Sequence, residues 1–147
     1  MRETRRVAGD YVLTLDDYQA RRSFDDEIAR NSYPIDIHGA QKHIKALLSD
    51  KNVCAMNHFG RYGKGESHGI PYRCLLPQKL DNVLVAGRCI STDRLMLGST
   101  RVMPVCLVTG EAAGIAAALA ARSNGRPRDI DVTELRAILK RNGAYIR

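Results

Sequence analysis

Val83-Leu84-Val85-Ala86-Gly87, followed after a link by Arg101–Arg122 (RVMPVCLVTGEAAGIAAALAAR), decides how this chain folds. An unbroken apolar run ending in glycine reads as a strand buried on both faces, as a parallel sheet demands. The second segment is rich in alanine and carries its one proline at Pro104. Proline is tolerated only in a first turn, so a helix is expected to begin at residues 101–104 and to stop at Gly125. The link, residues 88–100, reads as irregular. In an open α/β sheet, ligands lie beyond the carboxyl ends of the strands, where a helix N-terminus offers free N–H groups and partial positive charge. Gly87 at the strand end and Gly98-Ser99 before the helix are expected to keep that space open. Gly110, Gly114 and Ala118 recur every fourth residue, giving a face without bulk that a sheet or a flat ligand can approach closely. The helix is long enough, at roughly 30 Å, to cross a membrane, but Thr109, Glu111 and its flanks mark it as a buried helix of a soluble protein.

Outward from this unit, Val7–Thr14 alternates like a strand, and Thr14 with Asp17 resembles a capping box opening a helix through Arg22. Phe24–Arg30 reads as another helical turn or two. Tyr33–His38 is extended, because Pro34 biases its predecessor away from helix, and Gln41–Ser49 has helical spacing. Residues 57–69, with glycines at 60, 63, 65 and 69, form a flexible loop suited to a lid or junction. Ile70–Leu76 returns to strand, with Pro71 at an edge or start, and Pro77–Asn82 is a turn. Asp131 with Glu134 makes a second capping box for a terminal helix through about Asn142.

The 147 residues are 44% hydrophobic and 27% charged, which excludes a disordered or collagen-like chain and fits one globular domain. The net charge of +7 raises the question of polyanions. Residues 122–147 hold seven Arg or Lys against three acids, yet Tyr145 is the one aromatic there, so a solvated basic helix explains the excess as well as a nucleic-acid reader does. No apolar leader follows Met1, and a cytoplasmic location is expected. Cys54, Cys74, Cys89 and Cys106 form no CxxC pair and read as scattered reduced thiols. His58 and His68 flank the glycine loop near Cys54 and Cys74, but no pair has ligand spacing, so no metal is expected.

The string Asp81-Asn82-Val83-Leu84-Val85-Ala86-Gly87-Arg88-Cys89-Ile90-Ser91, continued by Leu97-Gly98-Ser99-Thr100-Arg101-Val102-Met103-Pro104 and Gly110-Glu111-Ala112-Ala113-Gly114, resembles the C-terminal part of bacterial FAD-dependent oxidoreductases of the fumarate reductase and succinate dehydrogenase flavoprotein type. The opening Arg2–Thr14 (RETRRVAGDYVLT) and Ile70–Pro77 (IPYRCLLP) match the same family. The resemblance implies a mixed α/β chain: residues 77–147 as the last strand–helix unit of a Rossmann-like FAD-binding domain, and residues 1–76 as part of a substrate or cap region. FAD would be the cofactor, with Gly87, Arg88, Gly98, Ser99, Arg101, Val102 and Met103 around it. Gly87 and Arg88 would lie by the ribityl chain, and the amides near Arg101, Val102 and Met103 would face the pyrimidine carbonyl. Arg73, Tyr72 and His68, with Arg2, Arg5 and Arg6, are candidates to bind or protonate an anionic small-molecule substrate.

Two departures stand out. Relatives often place an acid after the strand glycine, where this chain has Arg88, and Leu95-Met96-Leu97 stands where fumarate reducers carry an arginine. The dinucleotide fingerprint GxGxxG occurs nowhere in the sequence, which reads as the C-terminal portion of a flavoenzyme whose nucleotide-binding half lies elsewhere. Such a portion would transfer hydride between flavin and an organic substrate, and would cover an apolar face by pairing with that half or with itself. A small basic nucleic-acid-binding module and a non-catalytic subunit of a split flavoenzyme are the alternatives.

Overall fold

The computed structural model describes residues 5–36 and 62–147, so the helix expected over Gln41–Ser49, and with it Arg2, His38, Cys54 and His58, lies outside the described residues. The fold is mixed α/β. Helix α1 (Leu15–Gln19) opens on the expected capping box: Asp17 N donates to Thr14 Oγ1 and Thr14 N donates to Asp17 Oδ2. It ends sooner than expected, at Ala20, and Arg21 follows with a φ of 51°. Val7–Thr14 is extended but not a continuous strand. It makes single bridges, Gly9 with Pro77 and Leu13 with Thr92.

The expected helical turns over Phe24–Arg30 are replaced by a strand, β1 (Glu27–Asn31), paired antiparallel with β2 (His68–Pro71). Arg30 faces Gly69 and Asn31 faces His68, with an irregularity between Glu27 and Ala29. That irregularity breaks the regular alternation of a strand. It re-phases the strand so that Glu27 and Arg30, three residues apart as on a helix, form a fully buried ion pair at 2.8 Å. The β2 strand takes His68 and Gly69 out of the expected loop, and it ends early. Pro71 has no N–H to extend the ladder, and Tyr72–Leu75 turns into a 3-10 helix.

Val83–Gly87 is not a strand buried on both faces. It is irregular and half-exposed, leading into the Gly87 turn, and it is tied to the rest of the fold by Val85 N to Leu75 O (2.9 Å) and Gly87 N to Thr109 Oγ1 (3.0 Å). Without flanking strands among the described residues, no parallel ladder forms there. The link after it is also more regular than expected. Gly87–Cys89 forms a 3-10 turn, and Asp93 caps a helix, α2 (Arg94–Thr100), by accepting from Met96 N at 2.6 Å.

Helix α3 (Met103–Arg122) starts where Pro104 requires. It closes with Gly125 at a φ of 75°, whose N–H returns to Ala120 O. The terminal helix α4 (Val132–Arg141) is capped by Asp131, which accepts from Thr133 N rather than from the expected Glu134. One core runs from Leu13, Tyr18 and Ile28 through Ile70 and Leu75 to Ile90, Met96, Val105, Leu135 and Leu139. Against it α3 buries a single stripe: Val105, Thr109, Ala112, Ala116 and Ala120. The helix is therefore not enclosed as expected. Met103 and Leu107 are each 73% exposed, and a Cβ on Gly110 or Gly114 would meet nothing within 4 Å. By length and hydropathy α3 also qualifies to cross a membrane.

Candidate functional site

Two pieces of chain meet at the start of α3, the Gly87–Arg88 turn and the stretch from Arg101 to Thr109. Gly87 adopts a φ of 69°, a left-handed conformation that glycine takes without a steric cost, and its turn rests on Cys106 and Thr109 one helical turn into α3. Thr109 Oγ1 donates in turn to Val105 O, so a single hydroxyl ties the turn to the helix. Next, Arg88 Nε donates to the Arg101 carbonyl at 3.1 Å, which draws the guanidinium across the residue preceding the α3 cap. Val102 is that cap and has no side-chain bond to the first turn. A helix of 20 residues thus presents its N-terminal amides uncapped, with the positive end of its dipole outward. Beside them lies a cleft of about 410 Å³ lined by Arg88, Met103, Cys106 and Leu107.

Of the expected cofactor residues, Gly87, Arg88, Val102 and Met103 come together here. Arg101 contributes its carbonyl, while its side chain turns away to donate to Asp36 O. Gly98 and Ser99 do not hold the space open. The Asp93 cap starts a helix before them and buries both in α2. There Ser99 Oγ donates to Tyr33 O and accepts from Asn31 Nδ2, and Gly98 O accepts from Asp36 N. Their role is to anchor the Tyr33–Asp36 segment. Cys106 and Thr109 have no site role in the sequence reading. Their signal was the i, i+3, i+4 spacing from Val102, which puts Val105, Cys106 and Thr109 on the side of the helix facing the Gly87 turn.

The three catalytic candidates do not join this cleft. His68 is completely buried, with Nδ1 2.7 Å from the Tyr62 hydroxyl, which also lies 2.9 Å from Tyr18 O. The phenol has one proton and the carbonyl can only accept, so that proton goes to Tyr18 O and His68 carries its own on Nδ1. Nε2 is then an acceptor without a partner among the described residues. Burial, reinforced by the Arg30 charge, lowers the His68 pKa to about 3. Tyr72 is buried too, its hydroxyl donating to Pro127 O at 2.8 Å, and burial pushes its pKa upward. Arg73 is held by both oxygens of Asp26 at 2.9 and 3.1 Å and lies over the Tyr11 ring. All three are committed to the fold. Arg6 donates to Thr92 O, and Arg5 is exposed. The Cys74 thiol, buried and raised to about 12, is an inert core group.

A second, polar cleft of about 440 Å³ lies between the 62–67 loop, the end of β1 and Tyr145. The described part of that loop is pinned: Glu66 accepts from Gly63 N at 2.8 Å and pairs with Arg21 at 3.3 Å.

The start of a long helix thus borders a largely apolar cleft with one cation at its rim. The chain belongs to the FAD-dependent oxidoreductase family, whose model matches residues 1–139, and FAD is accordingly its cofactor. No curated protein and no solved structure gives a significant match. The residues around the cleft fit part of FAD. Its apolar walls and the helix terminus suit the flavin ring, whereas among the described residues no glycine-rich phosphate cradle accompanies them.

Proposed function

We propose that the chain supplies the flavin-facing edge of an FAD-dependent oxidoreductase of the fumarate reductase and succinate dehydrogenase flavoprotein type, in the bacterial cytoplasm, acting on a small organic substrate. The observation that carries this reading is the convergence of the positive-φ Gly87 turn, Arg88 and the uncapped start of α3 on one cleft. When bound, FAD accepts or delivers a hydride at the flavin ring. The protein's own part is to orient and polarise. Gly87 lets the backbone pass close to the cofactor, Met103 and Leu107 offer apolar surface to a ring, and the α3 terminus favours negative charge at its pyrimidine side. The Val83–Gly87 segment, irregular and half-exposed, would complete a Rossmann-like sheet with strands beyond the described residues. The open α3 stripe of Met103, Leu107, Gly110 and Gly114 would be covered by that nucleotide-binding region or by a second copy.

Flavin absorbance after expression of the whole reading frame is the first test. Stoichiometric flavin is expected, with at least a tenfold loss of affinity in Gly87→Val, whose branched side chain resists a φ of 69°. A protein that never binds flavin, or a Gly87→Val variant that binds it unchanged while staying folded, overturns the reading. The nucleic-acid alternative has less to work with, because two of the C-terminal cations are engaged by the fold's own acceptors. Arg128 holds Asp10 and Asp81, and Arg136 donates to the carbonyls of Asp25 and Arg147.

A further inference from the structure

Arg88 is a cation held in position, without a counter-ion among the described residues. Its Nε is fixed on the Arg101 carbonyl, the side chain is half-buried, and among the described residues no carboxylate pairs with it. Arginine stays charged at any working pH, and a partly desolvated charge with an unfilled donor fork favours an anionic ligand. The other walls of its cleft, Met103, Cys106 and Leu107, offer no carboxylate. Glu111, one turn beyond Leu107, is taken by Asn142 Nδ2 at 3.0 Å.

We propose that Arg88 sets the reduction potential of the bound flavin by holding the negative charge that the ring gains at its N1 and C2-carbonyl edge. The inference rests on the reading of this cleft as the flavin site. In the reaction it serves, the substrate carbon loses a hydride with its bonding pair, the flavin gains both electrons and that proton, and a second substrate proton leaves to solvent. The reduced ring is then an anion, and Arg88 stabilises it without changing its own protonation. Oxidised flavin carries no such charge, so the contact favours the reduced form selectively. The cleft favours the ring over the pyrophosphate as the anion at Arg88. Its walls are largely apolar and it offers one guanidinium, whereas a pyrophosphate is held by successive backbone amides of a glycine-rich turn.

The test compares wild type, Arg88→Met and Arg88→Lys, expressed from the whole reading frame. It measures affinity for riboflavin, FMN and FAD, the reduction potential of the bound flavin by dye equilibration, and thermal unfolding. Arg88→Met is expected to lose at least tenfold in preference for reduced over oxidised flavin, about 30 mV for a two-electron couple, and equally with riboflavin and with FAD. Arg88→Lys, which keeps the charge, is expected to retain most of that preference. A structural role would weaken both redox states alike and leave the potential in place, which overturns the proposal. So does an Arg88→Met variant that loses affinity for FMN and FAD alone, since the anion at Arg88 would then be a phosphate. A wild type that binds no flavin brings down the underlying site assignment, and this inference falls with it.

Discussion

His68 shows what a single residue's environment does to a motif-level expectation. A histidine beside a glycine loop looks like an acid or base. Burial and the neighbouring Arg30 charge instead hold it neutral, with a pKa near 3 in the fold against about 6.5 in the unfolded chain. Between those values the unfolded state binds the extra proton, so stability rises with pH through that window and is lost as pH falls from 6.5 toward 3. Wild type is expected to lose a few kcal/mol over that span, read as the denaturant midpoint at a series of pH values. His68→Phe should be less stable at neutral pH by about 1–2 kcal/mol, for the lost hydrogen bond, and should show a flatter acid limb. Equal slopes in the two proteins would show that His68 is not the titrating group. Gly9 is a second residue whose surroundings, invisible in the sequence, decide its role. A Cβ there would lie 2.7 Å from Ser91 Cβ and 3.1 and 3.2 Å from the carbonyls of Arg73 and Leu76. Gly9→Ala should cost about 1–3 kcal/mol by urea unfolding.

At the scale of elements, what the sequence displayed depended on whether the signal was local. The Thr14–Asp17 box, Pro104 in a first turn, Gly125 as a stop and Asp131 as a cap are satisfied within a few residues, and each appears where expected. The failures are elements set by distant partners. The β1 strand exists because β2 pairs with it across an irregular register, and among the described residues Val83–Gly87 has no strand beside it. Asp93 falls between these cases. It caps α2 through Met96 N and also accepts from Leu15 N at 2.7 Å, 78 residues away, so one carboxylate begins two helices. Asp93→Ala should therefore cost more than a simple cap, about 2–3 kcal/mol, whereas Asp93→Asn should recover part of it. Cooperative thermal unfolding with no loss in Asp93→Ala would refute that double role. On α3 the open glycines predict the opposite sign. Gly110→Ala and Gly114→Ala meet nothing and gain helix propensity, so each should add about 0.5–1 kcal/mol in the chain alone. A loss instead would show that the face is already covered at close range in solution.

Over the whole molecule, the candidate cleft depends on contacts that no motif announces. The sequence displays Gly87 and α3 as neighbours, and they do meet, through Cys106 and Thr109. The placing of the Gly87 turn also depends on the loop before it, and that loop is strapped down from the far end of the chain. Arg128 donates to both oxygens of Asp10 at 2.8 and 3.0 Å, to Asp81, and to the carbonyls of Pro77 and Leu80, while Tyr72 reaches Pro127 O from below. The strap joins the N-terminal segment, the 77–81 turn leading into Val83–Gly87, and the connection between α3 and α4. Its two halves differ physically. The Arg128 pairs are partly exposed, so salt screens them, whereas the Tyr72 hydroxyl is buried and neutral and does not respond to salt. Arg128→Ala should thus lower the unfolding midpoint most at low ionic strength. The gap should narrow as salt is added but not close, because the two carbonyl contacts are less sensitive to screening. Tyr72→Phe should cost about 1 kcal/mol at every salt concentration. In the flavin-loaded protein, both variants should weaken flavin binding by loosening the approach to Gly87, Arg128→Ala in a salt-dependent manner and Tyr72→Phe not. Flavin affinity that ignores both variants, despite the measured loss of stability, would mean that the cleft is positioned by α3 alone.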